Sequence, residues 1–265
     1  GPEEDLQLTQ NTQPAILTVS YSIFRVLKDE FGYDFSSFKY FAGHSLGEYS
    51  ALVCSESLKF EDALYLLHER GKAMQAAVPI GQGSMIAVLG TKNEEIIDLL
   101  KLNPSNKGIC EVANDNANGQ IIISGNKNSI EAFQIILKEK KIKTIPLKVS
   151  APFHCSLMKP AAKSMEKKIY DTNFNNPLFT IINNVTANPE VDPNNIKRLL
   201  IEQIFSTVRW RESVIKMHEN GIKNFIEIGP GKALTGMIKR TIKEVNCFSI
   251  NSITDIEKFK NEFKK

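Results

Sequence analysis

A layered α/β fold carrying a smaller inserted unit is what this 265-residue sequence predicts. Three observations carry that expectation. Apolar runs of strand length alternate with amphipathic stretches at three-to-four spacing over both ends of the chain. Between 81 and 149 the order becomes β-α-β-β-α-β, the split-βαβ or ferredoxin-like arrangement. A glycine-flanked turn, Gly43-His44-Ser45-Leu46-Gly47, joins an apolar run to a helix-forming one. The expected organisation is a discontinuous core, 1–80 and 150–265, with a small domain at 81–149.

The elements follow in order. Thr12 and Pro14 mark a helix start, Ile16, Val19, Ile23, Val26 and Leu27 give it an apolar face, and Gly32 ends it. Tyr40-Phe41-Ala42 reads as a strand, and Glu48, Ala51 and Leu52 continue beyond the turn as a helix. A further helix spans roughly Glu61 to Ala76, buries Ala63, Leu64, Leu67 and Met74, and stops before Pro79. In the small domain, Met85–Leu89 reads as a strand and Glu94–Leu102 as a helix. Gly108–Val112 and Gln120–Ser124 are two strands joined by an Asn- and Gly-rich turn, Asn114–Gly119. Ser129–Glu139 is a helix and Thr144–Val149 the last strand. A turn with Pro152 and His154 leads into a helix from about Ser156 to Lys168. Then come a strand at Leu178–Ile182 and helices near Asn195–Ile204 and Glu212–Glu219. A buried strand at Asn224–Ile228 runs into Gly229-Pro230-Gly231, and a helix covers about Lys232–Lys243. The Lys-rich end is expected to be a frayed, solvated tail.

Composition narrows the function classes. A hydrophobic fraction of 42% and a charged fraction of 24% are ordinary for a globular chain. No apolar run approaches the roughly 20 residues of a membrane span. The net charge of +3 is diffuse, which speaks against nucleic acid, since that would want a concentrated basic face. The four cysteines, Cys54, Cys110, Cys155 and Cys247, lie far apart without a C-x-x-C pair. Free thiols in a reducing compartment are the simpler reading, with no metal site.

The turn around Ser45 has the form of a nucleophile elbow. A strand that bends abruptly into a helix exposes its central serine, and the flanking glycines avoid collisions across the bend. The helix start behind the serine points N–H groups at developing negative charge. A serine hydroxyl needs a base. Of the four histidines, His44 adjoins the serine and is expected to pack or hydrogen-bond locally, while His68 and His218 sit on amphipathic helices. His154 lies after a strand and before a helix, where α/β domains carry active loops. Asp115 is the best placed carboxylate by order in the chain, although it falls in the small domain. A carbonyl oxygen serves equally to hold the imidazole tautomer. Arg70, if turned inward, offers a planar fork for a substrate carboxylate.

Taken together these residues resemble the malonyl-CoA:acyl-carrier-protein transacylase family. Gly43-His44-Ser45-Leu46-Gly47-Glu48 is similar to its nucleophile motif and Thr12-Gln13-Pro14-Ala15-Ile16-Leu17 to its upstream helix. Arg70-Gly71-Lys72-Ala73-Met74-Gln75 is similar to the segment of its carboxylate-binding arginine. Ala113-Asn114-Asp115-Asn116 with Gly119-Gln120 is similar to its small-domain turn, and Pro152-Phe153-His154-Cys155-Ser156-Leu157-Met158 to its histidine segment. Glu227-Ile228-Gly229-Pro230-Gly231-Lys232, with Leu234-Thr235-Gly236, is similar to its C-terminal signature.

The resemblance implies a hydrolase-like core with a parallel sheet plus a ferredoxin-like insert, and transfer of malonyl from malonyl-CoA to acyl carrier protein in fatty-acid biosynthesis. Ser45 would be acylated and His154 would be its base. Gln203 would orient that base through its main-chain oxygen, and Leu46 N–H would face the oxyanion. Arg70 would bind the malonyl carboxylate, and Asn116 would line the pocket. No cofactor is implied, because coenzyme A thioester and phosphopantetheine are substrates. A monomer is expected, with neither nucleic-acid nor membrane partners, in the cytoplasm of a bacterium or a plastid-like organelle. Lys232, Lys239, Arg240, Arg209 and Arg211 are the cations available for an acidic carrier. The family also opens with a strand ending in a Gly-Gln-Gly loop that supplies the other oxyanion donor. Gly81-Gln82-Gly83-Ser84 has that form but lies at the entrance of the small domain. A longer natural protein is therefore expected, with this chain weakly active, inactive or dependent on the further segment. A serine hydrolase, a carrier-binding relative without chemistry, and a methylmalonyl-transferring relative remain the alternatives at this level.

Overall fold

The structure, a computed structural model, describes residues 1–149 and 151–263. A short helix α1 (Glu3–Gln7) precedes α2 (Thr9–Arg25), which runs on through a π-helical turn at Val26–Glu30. The predicted start at Thr12 and Pro14 is three residues late, because Pro14 sits inside α2 rather than at its first turn. Proline lacks the N–H that would bond the carbonyl four residues back. That carbonyl, Gln10 O, instead accepts from His68 Nδ1 at 3.0 Å. A side chain from another helix thus makes an interior proline tolerable.

After β1 (Tyr40–Ala42) come α3 (Leu46–Cys54) and α4 (Phe60–Ala76). The inserted unit contains β2 (Gly83–Leu89), α5 (Asn93–Leu100), β3 (Cys110–Ala117), β4 (Gln120–Asn126), α6 (Lys127–Glu139) and β5 (Lys143–Pro146). Its four strands form one sheet in the order β3-β4-β2-β5, with every neighbour antiparallel, as the split-βαβ reading predicts. Alternation along β2 explains how both faces are covered. Ile86 and Val88 join Ile96, Phe133 and Leu137 of α5 and α6, whereas Met85 and Ala87 face Ala113, Ile122 and Phe153. The predicted turn at Asn114–Gly119 contracts to Asn118–Gly119. Asn114 to Ala117 extend β3 through register shifts, bringing Asn114, Asp115 and Asn116 into the interior.

The chain continues through a 3₁₀ turn (Ser156–Met158) into α7 (Lys159–Asp171), then β6 (Thr180–Ile182), the two-residue β7 (Pro189–Glu190), α8 (Pro193–Gln203) and α9 (Trp210–Glu219). It closes with β8 (Asn224–Ile228), α10 (Ala233–Thr241), β9 (Asn246–Ile250) and α11 (Ile253–Phe263). The last strand and helix replace the frayed tail that was expected. β9 pairs in parallel with β8, and Ile256 and Phe259 of α11 are buried against Phe24, Leu27 and Phe35. Lys264 and Lys265, and Ser150 at the expected domain boundary, lie outside the described residues. β1 pairs in parallel with β6, which pairs antiparallel with β7. The largest apolar cluster packs α2, α3, α4, α7 and α8 together behind β6. Among the described residues no helix is long and apolar enough to cross a membrane.

Candidate active site

The bend between β1 and α3 is built by two constraints. Ser45 has φ 54° and ψ −111°, backbone that costs an L-residue about 1–3 kcal/mol and persists only where its surroundings enforce it. Gly43 must be glycine, because a Cβ there would collide with the Gly47 main chain. Gly47 differs from the expectation: a Cβ would meet nothing, so only the first flanking glycine is sterically required.

The bend brings Ser45 Oγ to 2.8 Å from His154 Nε2. His154 is buried, has a positive φ of 56°, and places Nδ1 at 2.9 Å from Gln203 O at the C-terminal end of α8. A carbonyl only accepts, so Nδ1 carries the proton and Nε2 is left free to accept from the serine hydroxyl. Burial, and after it the Arg70 charge, pushes the His154 imidazole down to about 3, so it is neutral and ready to accept a proton.

Arg70 projects from α4 into the same cluster and is 1% exposed. Its Nη2 donates to Ser45 Oγ at 3.1 Å and to Gln203 Oε1 at 2.8 Å, and its Nη1 donates to Gln13 Oε1 at 2.6 Å. All three acceptors are neutral, and Arg70 Nε has no hydrogen-bond partner among the described residues. α4 can bring the guanidinium this close to α2 because Gly71 lies against the Gln10 backbone, where a Cβ would collide.

Behind the elbow lies a buried polar network. Glu48 accepts from Asn183 Nδ2 at 2.5 Å, from Gln203 Nε2 at 2.7 Å and from the Asn184 main-chain N–H at 3.1 Å. Burial pushes its carboxyl up to about 7, against those three donors and the Arg70 charge, which favour the carboxylate. Gln203 is held between an acceptor, Glu48, and a donor, Arg70, which fixes its amide orientation. Gln13, Glu48, Asn183 and Asn184 were not singled out from the sequence. Glu48 had a legible signal. α3 is apolar on nearly every side, so a glutamate within it has to be buried and paired.

The remaining candidates fall elsewhere. Asn116 Oδ1 meets His44 Nε2 at 2.8 Å, on the side of the elbow facing Trp210. Leu46 opens α3, where N–H groups have no intrahelical partner. Asp115 does not reach His154: it takes Arg211 Nε at 2.8 Å and Asn93 Nδ2. His68 and His218 bond to main-chain oxygens of Gln10 and Ile222. Arg209 and Arg211 are tied to Glu212 and Asp115, leaving Lys232, Lys239 and Arg240 as the exposed members of the basic set. The four cysteines are free, and no cluster of three or more possible metal ligands occurs among the described residues.

Residues 1–263 match the family model described as an acyl transferase domain. The chain is 42% identical over 254 residues to the malonyl CoA-acyl carrier protein transacylase of Haemophilus influenzae, covering 96% of this chain and 80% of that protein. It is similar to the crystal structure of the acyl-carrier-protein-S-malonyltransferase of Bartonella henselae, with a TM-score of 0.95 and 38% identity, over 100% of this chain and 84% of the other. It is also similar to a malonyl-transacylase solved in complex with its type II PKS acyl-carrier protein. There the TM-score is 0.92 and the identity 39%, over 97% of this chain and 82% of that one.

Proposed function

The chain belongs to the malonyl-CoA:acyl-carrier-protein transacylase family, and from that premise we propose how its side chains carry out the transfer. The activity is movement of malonyl from malonyl-CoA to the phosphopantetheine thiol of acyl carrier protein. Ser45 Oγ attacks the thioester carbonyl as His154 Nε2 takes the hydroxyl proton. The Leu46 N–H, at the positive end of α3, stabilises the oxyanion. Collapse breaks the carbon–sulfur bond, and His154 returns the proton to the departing coenzyme A sulfur. In the second half the carrier's thiol gives its proton to His154 and attacks the malonyl-serine ester. The carbon–oxygen bond breaks, and Ser45 recovers the proton.

One observation carries this reading: the same serine oxygen lies 2.8 Å from a neutral imidazole and 3.1 Å from a buried arginine that, among the described residues, no carboxylate pairs. Arg70 is the recognition element for malonyl. Its charge has no full counter-ion, so a substrate carboxylate finds a preorganised fork, whereas an acetyl group would leave a buried guanidinium unpaired. Pairing would also cancel one of the influences that hold His154 low, making the base stronger when the correct substrate is bound.

The division at 81–149 keeps β2 to β5 together. Asn116, whose Oδ1 meets His44 Nε2, would line the substrate pocket. Lys232, Lys239 and Arg240 form the part of the basic set that an acidic carrier could reach. The bacterial source of a curated relative favours the bacterial cytoplasm over an organelle.

The test is intact-protein mass spectrometry after incubation with malonyl-CoA. The expected result is one malonyl adduct on the native protein and none on Ser45→Ala. An adduct that survives Ser45→Ala overturns the reading.

A further inference from the structure

β1 and β6 end together. Their parallel register pairs Tyr40 with Thr180, Phe41 with Ile181 and Ala42 with Ile182. Carried two residues further it would set His44 opposite Asn184. In a parallel ladder one residue of each facing pair makes both bonds, and in that role the residue opposite His44 would donate its main-chain N–H to the carbonyl of Gly43 and accept at its carbonyl from the N–H of Ser45. The main chain of Asn184 does neither. Its N–H goes to Glu48 Oε2 at 3.1 Å, and its carbonyl accepts from Arg209 N–H at 2.9 Å. Both ladder bonds are nevertheless made. Asn184 Nδ2 donates to Gly43 O at 2.8 Å, and Asn184 Oδ1 accepts from Ser45 N–H at 2.7 Å.

We propose that the Asn184 carboxamide is a positioning residue for the nucleophile, standing in for its own main chain and prolonging the sheet by one rung beneath the elbow. The inference rests on the reading of Ser45 as the acylated residue. It explains why the strained Ser45 backbone is stable without a continuing strand. The two bonds grip the chain on either side of His44, and Asn184 is fully buried, so the grip is not diluted by water. It also partitions the N–H groups at the helix start. The Ser45 N–H is consumed in the rung, leaving the next one, on Leu46, to face the reacting carbonyl.

The orientation of the carboxamide is dictated rather than chosen. Asn184 Oδ1 also lies 3.3 Å from Gln203 Nε2, and both of its neighbours are donors, while Gly43 O can only accept. Glu48 holds Asn184 N–H and Gln203 Nε2 with the same oxygen. The elbow, the residue that carries the His154 acceptor, and the rung are thus fixed from one point.

The neighbouring Asn183 supplies the control. It belongs to the same buried turn and touches Glu48, yet its Oδ1 caps Val185 and Thr186 N–H and its side chain makes no bond to the elbow. The experiment measures the rate at which a serine-directed fluorophosphonate labels Ser45, read by intact mass, and single-turnover malonyl-serine formation at varied malonyl-CoA. These are run on the native protein, Asn184→Ala and Asn183→Ala, below the melting temperature of each. The expected result for Asn184→Ala is a loss of about 100-fold in both maximal rates with half-saturation by malonyl-CoA little changed, the effect of a displaced nucleophile. Asn183→Ala should lose stability without that loss of rate. Equal losses in the two variants, or Asn184→Ala rates within a few-fold of native, would overturn the proposal. Native protein that the fluorophosphonate fails to label at Ser45 would instead overturn the nucleophile reading on which it stands.

Discussion

At the scale of single residues, the chemistry turns on how far the environment moves His154. An imidazole in water titrates near 6.5, but burial and the Arg70 charge hold this one down to about 3. The acid limb of Ser45 labelling by a fluorophosphonate should therefore fall below about pH 5 rather than near 6.5. Arg70→Gln should raise it, because a lowering charge is gone. A limb at the ordinary histidine value in the native protein would contradict the assignment. The same shift bears on stability. Its folded value is depressed, so as pH falls below 6.5 the unfolded chain takes up the proton first, and stability present above 6.5 is lost progressively toward 3. Glu48 runs the other way. Its folded value of about 7 exceeds the ordinary 4.5, so its contribution is full below 4.5 and lost as pH rises through 7. His154→Gln should accordingly flatten the acid-side decline in unfolding free energy measured by denaturant titration, leaving the opposite Glu48 slope exposed. An unchanged decline would mean that another group governs it.

At the scale of elements, the pairing of α2 with α4 decides whether Arg70 reaches the serine. Two features of that pairing are independent. Gly71 lets the helices touch at Gln10, and His68 satisfies the carbonyl that Pro14 leaves open. Gly71→Ala should destabilise by about 1–3 kcal/mol through overpacking. It should also raise the half-saturating malonyl-CoA concentration, since a displaced α4 carries Arg70 away from Gln13. His68→Ala, which strands one carbonyl without moving the helix, should cost about 1–3 kcal/mol in stability and leave substrate saturation nearly unchanged. Thermal melts and saturation curves separate the two. What the sequence disclosed at this scale follows the same physics. The strands and helices whose apolar spacing matches one period, such as β2, α4 and α6, were legible to within a few residues. α11 was not, because among the side chains described its buried face is Ile256 and Phe259 set among lysines and glutamates, so composition masked the period. The start of α2 was misjudged because the partner that tolerates Pro14 lies 58 residues from the carbonyl it caps. Ser45, His154 and Arg70 sit in local patterns that advertise chemistry. Asn184 and Gln13 do not, since their roles exist only once β6 and α2 have docked.

At the scale of the whole molecule, the site is assembled on a seam. Ser45, Arg70 and Gln203 belong to the helical core, whereas His154 comes eight residues after the last strand of the inserted sheet and Asn116 is part of β3. The seam is held by main-chain bonds between Val208 and both Ala113 and Asp115, by the Asp115–Arg211 ion pair, and by Glu111, whose carboxylate takes Ser156 N–H at 2.7 Å and Ser156 Oγ at 2.6 Å. These contacts are not equivalent. Asp115 and Arg211, largely buried, join the sheet to α9 at a distance from the histidine along the chain, and Arg211 keeps only a 3.4 Å contact to Glu94 if Asp115 is lost. Asp115→Ala should therefore cost about 3 kcal/mol of stability by leaving a charge without its partner. Acylation by the molecules that remain folded should stay within a few-fold of native. That outcome would also dispose of Asp115 as the orienting acid. Glu111 grips the chain two residues past His154, which itself sits in left-handed backbone at φ 56°. Glu111→Ala should thus slow malonyl-serine formation by about 100-fold, with a milder loss of stability, because it frees the segment that aims the base. Single-turnover rates and melting temperatures measured on both variants decide the matter. If Asp115→Ala is the slower acylator, the seam works through sheet docking as a whole rather than through the hold on the histidine segment.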